Sequence, residues 1–249
     1  MDVKEFLEQD KIKELIAAGD LDAVYSEYAP YHEYQNHLSK HLLNLGINPV
    51  NYFENSIPDY AFDNCDNVTD IDIHNNITAI GNSAFAYCLN LTKIIIPDSV
   101  TTIGDGAFEF CGKLADVVIG ENSQLTTIGE YAFWDCNKIT SITIPDSVTV
   151  IKRRAFNRCV RLANLKLGSG LTYIHERAFS QCDSLTSITI PDSVKEIGHS
   201  IFDSCDKLTD IRYSGTKEQW SNIKKHEAWN AYSPVNIVHC LDGDISLKS

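Results

Sequence analysis

Seven cysteines recur along the chain at Cys65, Cys88, Cys111, Cys136, Cys159, Cys182 and Cys205, at intervals of 23, 23, 25, 23, 23 and 23 residues. A fixed period of this length marks a solenoid, in which each coil is one structural unit stacked on the next. Other positions keep the same period. Six of the cysteines end an A-F-x-x-C motif, after Ala61-Phe62, Ala84-Phe85, Ala107-Phe108, Ala132-Phe133, Ala155-Phe156 and Ala178-Phe179, and the seventh follows Ile201-Phe202. An isoleucine stands five residues before each Phe, at Ile57, Ile80, Ile103, Ile128, Ile151, Ile174 and Ile197. Three residues after each cysteine comes Val68, Leu91, Leu114, Ile139, Leu162, Leu185 or Leu208, which opens an L-x-x-I-x-I run.

Within that run the fourth and sixth positions are apolar in every copy: Ile71/Ile73, Ile94/Ile96, Val117/Ile119, Ile142/Ile144, Leu165/Leu167, Ile188/Ile190 and Ile211/Tyr213. Alternation with period two is the signature of a strand with one face buried. One strand per coil, repeated in the same direction, makes a parallel sheet. Pro-Asp-Ser at Pro97, Pro145 and Pro191 then turns the chain, since proline cannot donate into a continuing ladder. A short V-x-x-I-G segment follows, and A-F-x-x-C closes the coil. No single coil can bury its own apolar edge, so stacking must supply the core and both ends need lids.

The repeat reads close to L-x-x-I-x-I-P-x-x-V-x-x-I-G-x-x-A-F-x-x-C and resembles the BspA-like leucine-rich repeats of Treponema-type surface proteins, over residues 57–240. The resemblance implies an α+β repeat protein: a right-handed leucine-rich-repeat solenoid with a parallel concave sheet. It implies protein binding or adhesion and no enzyme activity. The expected division is an N-terminal helical cap at 1–50, the seven-repeat solenoid at 51–213, a C-terminal cap at 214–242 and a frayed tail at 243–249. In the first cap, Val3, Phe6, Leu7, Leu15 and Ile16 fit one helical face ended by Gly19. A second helix is expected from Leu21 to Tyr28, and a third carries Tyr34, Leu38, Leu42 and Leu45. In the second cap, Thr216 can cap a helix with Trp220 and Ile223, and 235–239 reads as a last strand.

A formal net charge of −13 excludes general binding to nucleic acid or anionic membranes, both of which want a basic surface. The charge is uneven. Residues 1–110 hold 18 acidic against 5 basic side chains. Residues 151–180 hold Lys152, Arg153, Arg154, Arg158, Arg161, Lys166 and Arg177 against Glu176 alone. An acidic body with one basic band suits a charged protein partner or a head-to-tail homodimer. With no apolar core of a signal peptide near Met1 and no 18 consecutive apolar residues, the chain as written reads as cytoplasmic, and as surface or secreted if an export signal has been removed.

No cofactor, metal or catalytic group is expected. Glu33, His37 and His41 follow at i, i+4 and i+8, a spacing that offers zinc ligands on one helical face but lacks a further ligand, so they read as a solvated face. His32-Glu33 with His37 has one residue too many for H-E-x-x-H. The repeat cysteines form no C-x-x-C pair and read as small buried residues.

Candidate binding residues are those where the repeats disagree. On the strands the outward series are Asp70, Lys93, Asp116, Ser141, Asn164, Ser187, Asp210 and Asp72, Ile95, Val118, Thr143, Lys166, Thr189, Arg212. Most are small and polar. Ile95 and Val118 instead make an apolar spot fringed by Asp70, Asp72 and Asp116. Beside the cysteines, Tyr87, Phe110 and Trp134 stand in three consecutive repeats where other copies carry Asn, Ser, Asp or Gln, a ridge of the ring types that binding hot spots favour. Three readings follow: a protein-interaction module using the concave sheet or the aromatic flank, a secreted or surface adhesin, and an acidic inhibitor that occupies a partner's basic nucleic-acid-binding cleft.

Overall fold

The structure, a computed structural model, describes residues 32–247 together with the isolated positions 14, 18 and 20. Apart from those isolated positions, the two helices expected within residues 3–28 lie outside the described residues.

The chain winds into a parallel-sheet β-solenoid. Eight two-residue strands, Ser56–Ile57, Ala79–Ile80, Thr102–Ile103, Thr127–Ile128, Val150–Ile151, Tyr173–Ile174, Glu196–Ile197 and Lys224–Lys225, form one parallel sheet from end to end. In each the second residue is the isoleucine of V-x-x-I-G, buried in all coils but the last, where Lys225 takes its place. The L-x-x-I-x-I runs supply the longer strands on the other side, and here the expected single sheet is divided in three. Lys93–Ile96 pairs with Asp116–Ile119, Ser141–Thr143 pairs with Asn164–Lys166, and Ser187–Ile190, Asp210–Tyr213 and Ile237–Cys240 continue together. The first break falls at the 25-residue interval, where two extra residues separate the coils. In the first coil Ile71 is buried but forms no strand, and Asn48 Nδ2 donates to the Asp72 carbonyl at 2.9 Å.

The core is a set of ladders. Phe62, Phe85, Phe108, Phe133, Phe156, Phe179 and Phe202 are fully buried and stack nearly parallel, with centroids 4.8–6.0 Å apart. These separations lie within the range that offset aromatic stacking favours. Beside them each thiol does more than fill space. The Sγ atoms of Cys88, Cys111, Cys136, Cys159, Cys182 and Cys205 donate to the carbonyls of Phe62, Phe85, Phe108, Phe133, Phe156 and Phe179 at 3.0–3.4 Å. Outside the core, Thr101, Thr126, Thr149 and Thr172 each donate Oγ1 to the carbonyl of the threonine one coil before.

Burial pushes the thiols of Cys65, Cys111 and Cys159 up to about 12, and the thiolate is the reactive form. A thiol reagent at pH 8 is therefore expected to modify no more than one cysteine of the native protein quickly, the half-buried Cys240, and the remaining seven only on unfolding. Two or more fast-reacting thiols would contradict the ladder.

Each coil also turns twice through a residue of positive φ. One column is Tyr60, Ser83, Gly106, Tyr131, Arg154, Arg177 and Ser200, and the other is Asn64, Tyr87, Phe110, Asp135, Arg158, Gln181 and Ser204. Asn and Asp tolerate this backbone, whereas Tyr and Phe adopt it at a cost.

Both ends are lidded. Helix α1 (His32–Asn44) buries Leu38 and Leu42 over the first coil, and Phe53 meets Phe62 edge-on at 6.1 Å. Helix α2 (Lys217–Asn222) starts with a capping box between Thr216 and Gln219, which satisfies its first donors reciprocally. It presses Trp220 between Tyr213 and Trp229. In the described part of the segment expected to fray, Gly243–Ser246 instead pairs antiparallel with Ile237–Cys240. Gly243, at φ +120°, takes a turn that other residues resist, Ile245 packs on the core, and His239 Nδ1 meets Asp244 Oδ1 at 2.8 Å across the hairpin. No helix among the described residues is long and apolar enough to cross a membrane.

Candidate functional site

Alternation fixes the strand face. In Lys93–Ile96 and Asp116–Ile119, Ile94 and Val117 point into the core, so Ile95 and Val118 must point out. They face each other in register and are 50% and 44% exposed. Lys93 and Asp116 are also in register, an opposite-charge pair directly beside the apolar one. Asp70 and Asp72 are exposed on the coil before. The other strand candidates stand apart from this group. Thr143 and Lys166 pair in the second sheet, beside a shallow recess of about 310 Å³ that reaches Ser187 and Thr189. Arg212 lies in the third sheet and is tied to Asp210 Oδ2 through Nη2 at 3.0 Å.

On the flank that carries the positive-φ turns, the three aromatic candidates touch. Tyr87 stacks on Phe110 at 4.8 Å and 18°, and Phe110 meets Trp134 at 4.6 Å and 57°. Their repeat positions differ, however. Tyr87 donates its N–H to Glu109 and Phe110 donates its N–H to Trp134, which places Trp134 in the column of Glu109, one residue before that of Tyr87 and Phe110. The indole is long enough to reach Phe110 all the same. The row does not stop there. Tyr131 packs on Trp134 at 5.3 Å, Arg153 and Arg154 each lie 5.6 Å from the Tyr131 ring centre, and Arg154 Nη1 donates to the Tyr131 hydroxyl at 3.0 Å. Sequence reasoning missed Tyr131. Writing out the other turn column, where Tyr131 precedes Arg154 and Arg177, would have found it.

The basic band is only loosely neutralised. Lys152 Nζ lies 3.2 Å from Asp105 Oδ1, but Arg158 stands 3.9 Å from Asp135, and Arg177 stands 3.8 Å from Glu176 and 4.0 Å from Asp203. Partly exposed pairs of this length contribute little to stability. In α1, His37 is exposed and His41 half-buried, while the Glu33 side chain lies outside the described residues. No group of three or more His, Cys, Asp or Glu positioned to hold a metal occurs among the described residues.

Residues 55–159 and 126–227 match the family described as BspA type Leucine rich repeat region, in six copies. Solved structures similar to the chain include a leucine rich cell surface protein from Faecalibacterium prausnitzii, with 32% identity over 64% of this chain and 42% of that one, at a TM-score of 0.55. A leucine-rich repeat protein from Bacteroides ovatus aligns with 26% identity over 74% of this chain and 50% of that one, at a TM-score of 0.52. The chain thus spans half or less of the length of both. No curated protein matches it.

Proposed function

The chain belongs to the BspA-type leucine-rich repeat family, and from that premise we propose that it is a non-enzymatic binding protein, holding a protein partner on the outward strand face around Ile95 and Val118. The observation that carries this reading is the paired exposure of two β-branched side chains in a row that is otherwise polar. Parallel strands with a stacked core beneath them are rigid, so an anchor there loses little conformational entropy on binding. The fringe of Asp70, Asp72 and Asp116 favours a partner that is apolar at the centre and basic at the rim. The likeness to a cell surface protein supports placement at the surface over the cytoplasm.

The aromatic flank is the second reading, favoured by Tyr87 at 41% and Leu89 at 48% exposure beside the stacked rings. The two are separated by comparing pull-downs from the native host. Ile95→Asp with Val118→Lys is expected to abolish capture of the partner with the melting temperature nearly unchanged, while replacing Tyr87, Phe110 and Trp134 by Ser leaves capture intact. The opposite pattern moves the site to the flank, and unchanged capture by both variants removes both surfaces from consideration.

A further inference from the structure

The strand face around Ile95 and Val118 carries its own counterpart. Lys93–Ile96 and Asp116–Ile119 make a two-stranded sheet of their own, so the patch has two rungs with a midline between them. Across that midline Lys93 stands opposite Asp116, and Ile95 stands opposite Val118. We propose that the partner held here is a second copy of this chain, docked face to face about a twofold axis that runs along the strands at the midline. The inference rests on the strand-face reading and names its partner.

A twofold in that direction keeps each residue's place along the strand and exchanges the two rungs. Ile95 of one copy then meets Val118 of the other, and Lys93 meets Asp116, each contact occurring twice. The match extends to the coils on either side. Asp70 and Asp72, on the coil before, come to face Ser141 and Thr143, on the coil after, so no carboxylate of the patch is set against another. Lys166, in register with Thr143, stands diagonal to Asp72 of the other copy. A twofold along the solenoid axis at the centre of the patch gives no such match. It keeps the rungs and exchanges places along the strand, which sets Ile95 against Lys93 and Val118 against Asp116.

The groups that this contact would cover are those the single chain leaves open. Ile95 and Val118 are exposed, and their branched side chains are already restricted at χ1, so little rotamer freedom is lost when they are buried. Lys93 and Asp116 are exposed as well, and neither makes an ion pair among the described residues although the two are adjacent in register. Both charges are therefore available to the other copy. Opposite charges across an interface fix its register, and like charges set against each other exclude the wrong ones. The contact is small: it covers the face from Asp70 to Thr143, less than the roughly 800 Å² per partner of a standard interface, so the expected dissociation constant is on the order of 100 μM.

The test is sedimentation equilibrium of the full chain from about 10 μM to about 1 mM, where a monomer–dimer equilibrium is expected. Lys93→Asp sets aspartate against Asp116 twice and should raise the dissociation constant at least about tenfold at unchanged melting temperature. Adding Asp116→Lys exchanges the two charges and restores the match, so the constant should return to within about threefold of the wild type. A merely structural role for Lys93 gives no such rescue. Ile95→Lys should weaken the dimer as Lys93→Asp does, while replacing Tyr87, Phe110 and Trp134 by Ser should leave it unchanged. A chain that stays monomeric to about 1 mM, a dimer that Lys93→Asp leaves intact, or a charge exchange that rescues nothing overturns the proposal. The strand-face reading is judged separately, by capture from the host. Loss of capture with Ile95→Asp and Val118→Lys beside a monomeric chain excludes the second copy and keeps the face, whereas unchanged capture beside a monomeric chain removes both.

Discussion

Replacing Phe133 by alanine is expected to destabilise the protein by about 3–5 kcal/mol, the usual cost of removing a buried ring and leaving its cavity. Phe133 is fully buried midway along the ladder, with Phe108 at 5.2 Å on one side and Phe156 at 5.1 Å on the other. Collapse into the gap is blocked because both neighbours are held by their own coils. Their carbonyls are also engaged, Phe108 O by Cys136 Sγ and Phe156 O by Cys182 Sγ. The backbone must therefore keep its spacing while the ring is missing. Urea melts followed by far-UV circular dichroism measure the loss. A value below about 1 kcal/mol, typical of a surface substitution, would mean that the ring is not a rung of the core.

The ladders were readable before any coordinates because stacking forces one chemical character on a column. Phe, Ile, Ala and Cys recur wherever a side chain meets its own copies above and below. What stayed hidden belongs to contacts without such a repeat. The two-residue strands ending in Ile57, Ile80 and Ile103 are too short to show a period of two, so the recurring isoleucine marked their place in each coil but not that they form a sheet. Nothing about a cysteine's place in a motif announces that its thiol donates to a carbonyl 26 residues back. The hairpin at Gly243 depends on the fit of Ile245 and on the His239–Asp244 contact, both set by the coil beneath. For the binding surfaces, Ile95 and Val118 were legible as a pair because adjacent coils share a register. Trp134 and Tyr131 occupy different columns from Tyr87 and Phe110, and only the size of their rings brings them together.

Leu42→Asp should have a still larger local effect, because it attacks the end of the core that, among the described residues, is covered by helix α1. Leu42 is fully buried against the first coil, and its loss alone costs roughly 2–5 kcal/mol. An unpaired carboxylate in that position adds several kcal/mol more. Leu38 and Phe53 also pack on the first coil, and among the described residues the lid is further held by polar bonds such as Cys65 Sγ to Asn36 O, Asn36 Nδ2 to Asp63 O, Asn67 Nδ2 to Lys40 O and His74 Nε2 to Val50 O. Together these bonds cannot offset the buried charge, since net contributions of about 1 kcal/mol each are usual. Helix α1 is expected to detach and the first coil to open. Solenoid coils contact only their neighbours, so the damage should fade along the axis rather than unfold the whole chain. Hydrogen exchange read by mass spectrometry should show protection lost over residues 36–73 and kept beyond the middle coils, and the exposed end should drive self-association visible by size-exclusion chromatography. Protection over residues 57–73 equal to that of the wild type would show that the coils hold their end without the helix and that α1 is not a lid.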